Sequence, residues 1–159
     1  MKAFAIILIV LCLAAMGGIG YLYFNATLDI EVEGCIATDA ASQAETFQAL
    51  TKAAEDGTLT GTLFRKPGEA SPENCVFYSY TLKITNKTFL KAEVVEVSVT
   101  PMDGDMLQMG QNQAVDLDSG KSIGLTTTIL TTKEGHNVRE GTVTYYFWGI
   151  PFSRRITLK

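Results

Sequence analysis

The segment CVFYSYTLKIT, residues 75–85, carries an apolar or aromatic side chain at every second position. Such alternation predicts a β-strand that turns one face toward a core. Residues 66–74, with two prolines and a glycine, predict a loop before it, and residues 86–88 predict a turn after it. This is the strongest strand signal in the chain. Five residues share the inward face: Val76, Tyr78, Tyr80, Leu82 and Ile84.

Similar strand patterns recur along the chain and predict an antiparallel β-sandwich. Residues 39–56 instead show helical spacing with many alanines, and Asp56-Gly57 supplies a stop. We expect this helix to pack on a sheet through Phe47 and Leu50. About nine strands with one inserted helix predict a mainly β, immunoglobulin-like fold. The further strand patterns occupy residues 27–36, 58–65, 90–100, 106–109, 112–117, 122–132, 142–148 and 152–158.

Part of this pattern is similar to a known type of domain. A strand ends at Asn86, a Val-rich strand follows, and the turn motifs DGDML at 103–107 and LDSGKS at 117–122 come next. Over residues 80–122 the chain resembles the extracytoplasmic immunoglobulin-like domains, including those of FxLyD type, of uncharacterised membrane-anchored bacterial proteins. The resemblance implies a sandwich outside the cytoplasm, and it transfers no functional residue.

The amino-terminal run Ala3–Phe24 contains no charged residue. At about 1.5 Å per residue, a helix of this length crosses a hydrocarbon core of about 30 Å. Lys2 precedes the run, and Asp29, Glu31 and Glu33 follow it closely. Because positive charge resists translocation, we expect the amino terminus in the cytoplasm and the rest of the chain outside.

A cleaved signal peptide is the alternative interpretation of this run. Its best cleavage site follows Ala15-Met16-Gly17, but the apolar character continues beyond that point to Phe24. We therefore expect a retained single-pass anchor at 1–26 and an extracytoplasmic β-sandwich domain at 27–159. Cys12 is expected to be an apolar residue that faces lipid.

The net charge of −4 argues against nucleic acid as a partner, because nucleic-acid-binding domains carry a basic stripe. It also gives no general attraction to anionic lipid. Cys35 and Cys75 lie outside the apolar run, and an exported chain meets an oxidising compartment. We therefore predict a disulfide between them, with two reduced, buried cysteines as the alternative.

Motifs that would indicate catalysis, a cofactor or a metal are incomplete. His136 is the only histidine, which excludes most histidine-based zinc sites, and no nearby cysteine completes another. The triplet 120–122 imitates the end of a phosphate-binding loop but lacks the earlier glycine and the following helix. Four aspartates could bind calcium but fit ordinary turns better: Asp103, Asp105, Asp116 and Asp118. We therefore predict no catalytic, cofactor-binding or metal-binding residue, and a protein that is not an enzyme.

The closing hairpin, with its turn expected about 149–151, is rich in aromatic residues. If Val143, Tyr145 and Phe147 face the core, Tyr146 and Trp148 face outward or onto the helix. An exposed Tyr146 and Trp148 would anchor an interface, and packing beneath the helix is the alternative. The neighbouring Arg154 and Arg155 would bind an acidic partner or form a solvated edge.

We expect a non-enzymatic binding or envelope-assembly domain on the outer face of a bacterial cell membrane, with an unknown protein partner. One alternative is a small-ligand or carbohydrate-binding module that uses the aromatic hairpin. A pilin-like subunit ranks lower, because the apolar helix lacks the early glutamate and the preceding processing site that pilins carry.

Overall fold

The computed structural model describes residues 2–68, 70–110 and 114–159, with the side chains of residue 2 and of residues 22–24 left out. The described chain forms an amino-terminal helix, nine strands and a second helix between the first two strands. The helices are α1 (Lys2–Asn25) and α2 (Ala44–Asp56), and short 3₁₀ turns occupy Ala40–Gln43 and Pro72–Asn74. The strands are β1 (Asp29–Asp39), β2 (Thr62–Leu63), β3 (Cys75–Thr85), β4 (Ala92–Val99), β5 (Asp105–Met109), β6 (Val115–Leu117), β7 (Ser122–Thr132), β8 (Arg139–Phe147) and β9 (Ile150–Leu158).

The strands build two antiparallel sheets that face each other. One has five strands in the order β1-β3-β7-β5-β2, and the other has four in the order β6-β4-β8-β9. Between them lies a core to which both sheets contribute, such as Leu82 and Ile84 from β3 with Val95 and Val143 from β4 and β8. The predicted mainly β sandwich, with an inserted helix and a preceding apolar helix, is confirmed.

A second core lies on the outer face of the five-stranded sheet. Because strand residues alternate between faces, Phe77 of β3 and Leu130 of β7 point away from the inter-sheet core. Phe47 of α2 is buried against them, and Leu50 packs at the margin, so the predicted packing of the helix is confirmed. The predicted stop also holds, because Gly57 caps the helix at a φ of 70°.

The buried amide of Gln108 joins the two sheets where no strand ladder does. Its Oε1 accepts the backbone N–H of Val99 at 3.0 Å, and its Nε2 donates to the carbonyl of Val97 at 3.0 Å. Nε2 also donates to Oγ1 of Thr127 at 2.8 Å. Since Gln108 lies on β5 and both valines on β4, one side chain satisfies backbone groups of the opposite sheet.

Some predicted bounds need correction. The strand expected at 58–65 has only two paired residues, Thr62–Leu63, and the strand expected at 112–117 is Val115–Leu117, with residues 111–113 outside the described part. Conversely, β8 begins at Arg139, three residues earlier than the predicted strand, because 139–141 pair with the last residues of β9.

The predicted disulfide between Cys35 and Cys75 is wrong, since both cysteines are free. Strand register gives the reason: Cys35 lies opposite Tyr80, whereas Cys75 lies opposite Thr132 on the other side of β3. Five residues of strand separate the two positions along the sheet, which is about 16 Å. A disulfide needs Cα atoms within about 7 Å, so the sheet would have to break to form it.

Helix α1 has the length and composition of a membrane span over Ala3–Tyr21, with 19 residues of mean hydropathy 2.6. None of this span is buried against the sandwich. An anchor and a signal sequence both have these properties. Only residues 26–28 separate the helix from β1, so the apolar helix leads directly into the sandwich.

Candidate functional site at the aromatic end of the sandwich

The β8–β9 hairpin closes in a two-residue loop. Phe147 pairs with Ile150, which leaves Trp148 and Gly149 as the loop, one residue earlier than the predicted turn. Both loop residues have positive φ, 51° and 75°, as a type I′ turn requires. For an L-residue other than glycine this conformation costs about 1–2 kcal/mol, so Trp148 occupies a strained position that asparagine usually takes.

An aromatic cluster lies directly under this loop. The rings of Tyr145 and Phe152 stack with centroids 5.7 Å apart, and Phe147 meets each of them edge-on at 5.5 and 5.6 Å. Such pairs contribute about 0.5–1.5 kcal/mol each beyond their burial. The hydroxyl of Tyr145 donates to the carbonyl of Ala26 at 3.4 Å, and burial raises the pKa of Tyr145. Tyr145 and Phe147 are buried and face the core, as the alternation supposed for this hairpin requires.

Helix α1 contributes to the same end of the molecule. A cavity of about 310 Å³ lies between the end of the helix and the hairpin, and its walls are almost entirely apolar. Ile19 of α1 forms one wall, and Trp148 and Ile150 form another. The lining residues are Ile19, Ala26, Leu90, Phe147, Trp148, Ile150 and Phe152.

Large apolar side chains are exposed around this cavity. Trp148 is 67% exposed and Ile150 45%. Phe89, in the connection between β3 and β4, is 69% exposed and lines an adjoining groove with Tyr21 of α1. We call Phe89, Trp148 and Ile150 the apolar rim. The two most exposed aromatic side chains of the described sandwich therefore lie at the end where α1 joins it.

A few charges border the rim. Nζ of Lys87 lies 2.6 Å from Oδ2 of Asp29, and this hydrogen bond lowers the pKa of the Asp29 carboxyl. Both side chains are largely exposed, so the pair contributes little to stability. Arg154 donates from Nη1 to the carbonyl of Leu28 at 2.9 Å. This bond ties the edge strand β9 to the start of β1.

The structure does not gather the four predicted interface residues onto one surface. Tyr146 and Arg155 share the outer face of the four-stranded sheet, where Arg155 lies 3.4 Å from the Glu140 carboxylate. Trp148 lies at the hairpin tip, and Arg154 points to the opposite side of β9 from Arg155 because strand residues alternate. Helix α2 packs on the other sheet, so the alternative in which Tyr146 and Trp148 lie beneath it is wrong.

The opposite end of the sandwich holds a buried ion pair that the sequence analysis missed. Asp105 accepts two hydrogen bonds from Arg139, and both side chains have no solvent exposure. Oδ2 of Asp105 also accepts the N–H of Met102 at 2.8 Å, and Nη1 of Arg139 donates to the carbonyls of His136 and Val138. The three guanidinium nitrogens and both carboxylate oxygens are hydrogen-bonded, so the pair stabilises the loops at 101–104 and 133–138. The pair therefore holds no free acid or base.

Tyr80 and Cys35 complete this end. The Tyr80 hydroxyl donates to the carbonyl of Asn137 at 2.5 Å. Burial raises the pKa of Tyr80, and burial also raises the pKa of the Cys35 thiol despite its hydrogen bond to Tyr80. A thiol with a raised pKa is a poor nucleophile, so Cys35 has the environment of a structural cysteine. No group of three His, Cys, Asp or Glu side chains suited to a metal occurs among the described residues.

Comparison with known proteins gives a weak likeness of fold. No protein-family model and no curated protein matches the chain. A solved structure, the crystal structure of a FixG-related protein from Vibrio parahaemolyticus, is similar to this chain at 16% sequence identity. The matched region covers 82% of this chain and 93% of the chain in that structure. Its TM-score is 0.39, so the likeness carries no argument about function. The resemblance to FxLyD-type domains stays a prediction.

Proposed function

We propose that the protein is a single-pass membrane protein whose sandwich lies outside the membrane and binds a protein partner there, without catalysing a reaction. In this proposal α1 is retained, its amino terminus stays in the cytoplasm, and the sandwich stands on the outer surface. Lys2 before the apolar helix and the acidic residues after it support this orientation.

One observation carries the proposal: Ile19 of α1 and Trp148 of the sandwich line the same apolar cavity. Residues 26–28 form the whole connection, and Ala26 and Leu28 are themselves buried in the sandwich. A signal peptide that is removed needs no surface shared with the mature domain. A retained anchor would keep this shared apolar surface, with the exposed Ile19, beside the sandwich at the membrane.

The outer face of the four-stranded sheet is our candidate for the partner surface. It carries the half-buried ring of Tyr146 and the exposed guanidinium of Arg155, the residue types enriched where proteins bind each other. Glu93 lies opposite Tyr146 on β4, and Pro151 lies opposite it on β9. Helix α2 packs on the other sheet, so this helix does not cover the face.

The carbohydrate-binding alternative receives less support. A sugar site needs several polar groups that converge on the ligand. Among the described residues that line the aromatic cavity, only Trp148 has a side chain that can form a conventional hydrogen bond. The apolar lining favours an apolar neighbour over a sugar.

Membrane retention is tested by fractionation and protease treatment of bacterial cells that produce the full chain. We expect the chain to stay in the membrane pellet after alkaline carbonate extraction. Protease added to spheroplasts should degrade the sandwich and leave a short fragment that contains α1. A chain released by carbonate, or one that survives protease intact in spheroplasts, would refute the anchor or its orientation.

Partner binding is tested by a photo-crosslinking amino acid placed at Tyr146 in the same cells. We expect a discrete crosslinked product from this position. Lys83, exposed on the five-stranded sheet, is the matched control position and should give none. Arg155→Glu should reduce the product formed at position 146. No discrete product at Tyr146, or equal products at both positions, would argue against this face as the partner surface.

A further inference from the structure

The fold itself does not require the apolar rim of Phe89, Trp148 and Ile150. The hairpin loop could carry asparagine at position 148, which adopts the required positive φ with less strain than tryptophan does. The ring is two-thirds exposed, so it adds little to the sandwich core. Strain retained at an exposed aromatic side chain indicates that the side chain acts on something outside the domain.

The position of α1 identifies what lies beside this rim. Ile19 belongs to the part of α1 that has the composition of a membrane span, Ala3–Tyr21. It lines the cavity together with Trp148 and Ile150. If α1 crosses a bilayer, the cavity lies at the depth where acyl chains meet headgroups, and lipid surrounds it.

The chemistry of the rim fits that location. Tryptophan and tyrosine side chains concentrate at the boundary between headgroups and acyl chains. Tyr21 of α1 and Phe89 of the sandwich line one groove there, next to Lys87. The cavity of about 310 Å³ is apolar, as the site of an acyl chain must be.

We propose that the outer leaflet of the membrane is the ligand of this end of the sandwich. Trp148, Ile150 and Phe89 enter the boundary between headgroups and acyl chains, and an acyl chain occupies the cavity beside Ile19. The inference rests on the proposed retention of α1. It goes beyond that function because it assigns the sandwich a lipid-binding surface of its own and a fixed orientation on the membrane.

Trp148 is the only tryptophan in the chain, so its own fluorescence tests the proposal. The full chain is reconstituted into phosphatidylcholine vesicles whose acyl chains are brominated near the glycerol. We expect blue-shifted emission that the brominated lipid quenches and that acrylamide, a water-soluble quencher, reaches poorly. Zwitterionic lipid suffices, because the contact is apolar.

The matched control is Trp148→Phe combined with Val138→Trp, which moves the fluorophore to the other end of the sandwich. Val138 is 46% exposed and precedes β8, whereas Trp148 follows it, so the two positions are about 30 Å apart. We expect this tryptophan to escape the brominated lipid and to be quenched by acrylamide. Ile150→Ser should weaken lipid quenching of Trp148.

Three results would overturn the proposal. Trp148 emission that matches the Val138→Trp control in both quenchers would show a sandwich held away from the bilayer. Protection of Trp148 from brominated lipid and acrylamide alike would show a protein surface, such as a second copy of the chain, over the rim. If Ile150→Ser leaves lipid quenching unchanged, the result would contradict the contact that we assign between Ile150 and the lipid. Carbonate extraction of the vesicles separates these failures from loss of the anchor itself.

Discussion

Arg139 and Asp105 form a two-point ion pair from which solvent is excluded. Nε donates to Oδ2 at 3.0 Å and Nη2 to Oδ1 at 2.8 Å. The two residues begin β8 and β5, strands of different sheets. The pair therefore joins the sheets at one end of the sandwich, as the aromatic cluster fills the other.

Removal of one partner of this pair leaves the other charge buried without compensation. We expect Asp105→Ala to lower the free energy of unfolding by about 3–5 kcal/mol. Urea denaturation of the detergent-solubilised chain, followed by circular dichroism, measures the change. Lys133→Gln is the control, because its partner Asp39 is exposed and the pair lies in solvent. Equal stability of the two variants would contradict the importance of the buried pair.

We expect that loss of the Gln108 amide also destabilises the protein, although this side chain carries no charge. Gln108→Leu leaves the N–H of Val99 and the carbonyl of Val97 buried and unpaired, at about 1–3 kcal/mol for each group. We expect lower stability and faster hydrogen exchange at the Val99 amide, measured by NMR. Gln48→Leu, on the exposed side of α2, is the matched control and should change neither quantity.

The β-branched Val94 lies at a bulge of β4 with a φ of 52° and a partly exposed side chain. Asparagine tolerates this conformation better, so Val94→Asn should stabilise the fold by about 1 kcal/mol. Thermal unfolding measures the gain. Thr144→Asn, at an ordinary strand position, should give none. A destabilised Val94→Asn variant would mean that the valine makes contacts that outweigh its strain.

Alkaline pH should destabilise the protein. Burial raises the pKa of the Cys75 thiol and of the Tyr80 hydroxyl above their ordinary values of 9.0 and 10.0. The unfolded chain therefore loses these protons at lower pH than the folded chain, and the free energy of unfolding falls as pH rises above about 9. Urea midpoints measured from neutral to alkaline pH test this. Tyr80→Phe should flatten the decline; an unchanged slope would contradict the assignment.

The cysteines should behave as free thiols. Alkylation of the unfolded chain without reductant should label Cys12, Cys35 and Cys75, as mass spectrometry will show. Dithiothreitol should leave the thermal midpoint unchanged, because no bridge contributes to it. A mass two hydrogens lower in the Cys35 and Cys75 peptides would instead indicate a bridge, and the register of β3 would then be wrong.

Periodicity in the sequence was sufficient to predict the bounds of a strand where one strand face is apolar and the residues flanking the strand are polar. Strands β3 and β7 have the predicted bounds, and Val95, Val97 and Val99 face inward as expected. The helix end at Gly57 follows from local backbone chemistry. In each case the determining signal lies within one segment.

Features that depend on contact between distant segments could not be predicted. Arg139 lies between the strands predicted at 122–132 and 142–148, and nothing in its neighbourhood indicates burial beside Asp105, 34 residues earlier. The failed disulfide has the same origin, because the cysteine spacing carries no information on register. The turn was misplaced since Trp148 is an unusual residue for positive φ.

The three-residue connection between α1 and β1 also limits the distance between the end of α1 and the far end of the sandwich. In the proposed membrane-anchored protein, the eleven residues of β1 span about 36 Å, so the strands of an upright sandwich end about that far above the lipid. In that arrangement, a partner of the far loops around Val138 must itself lie within about this distance of the bilayer. Tilting or rotation of the helix would then turn the sandwich as well, because only three residues connect α1 to β1.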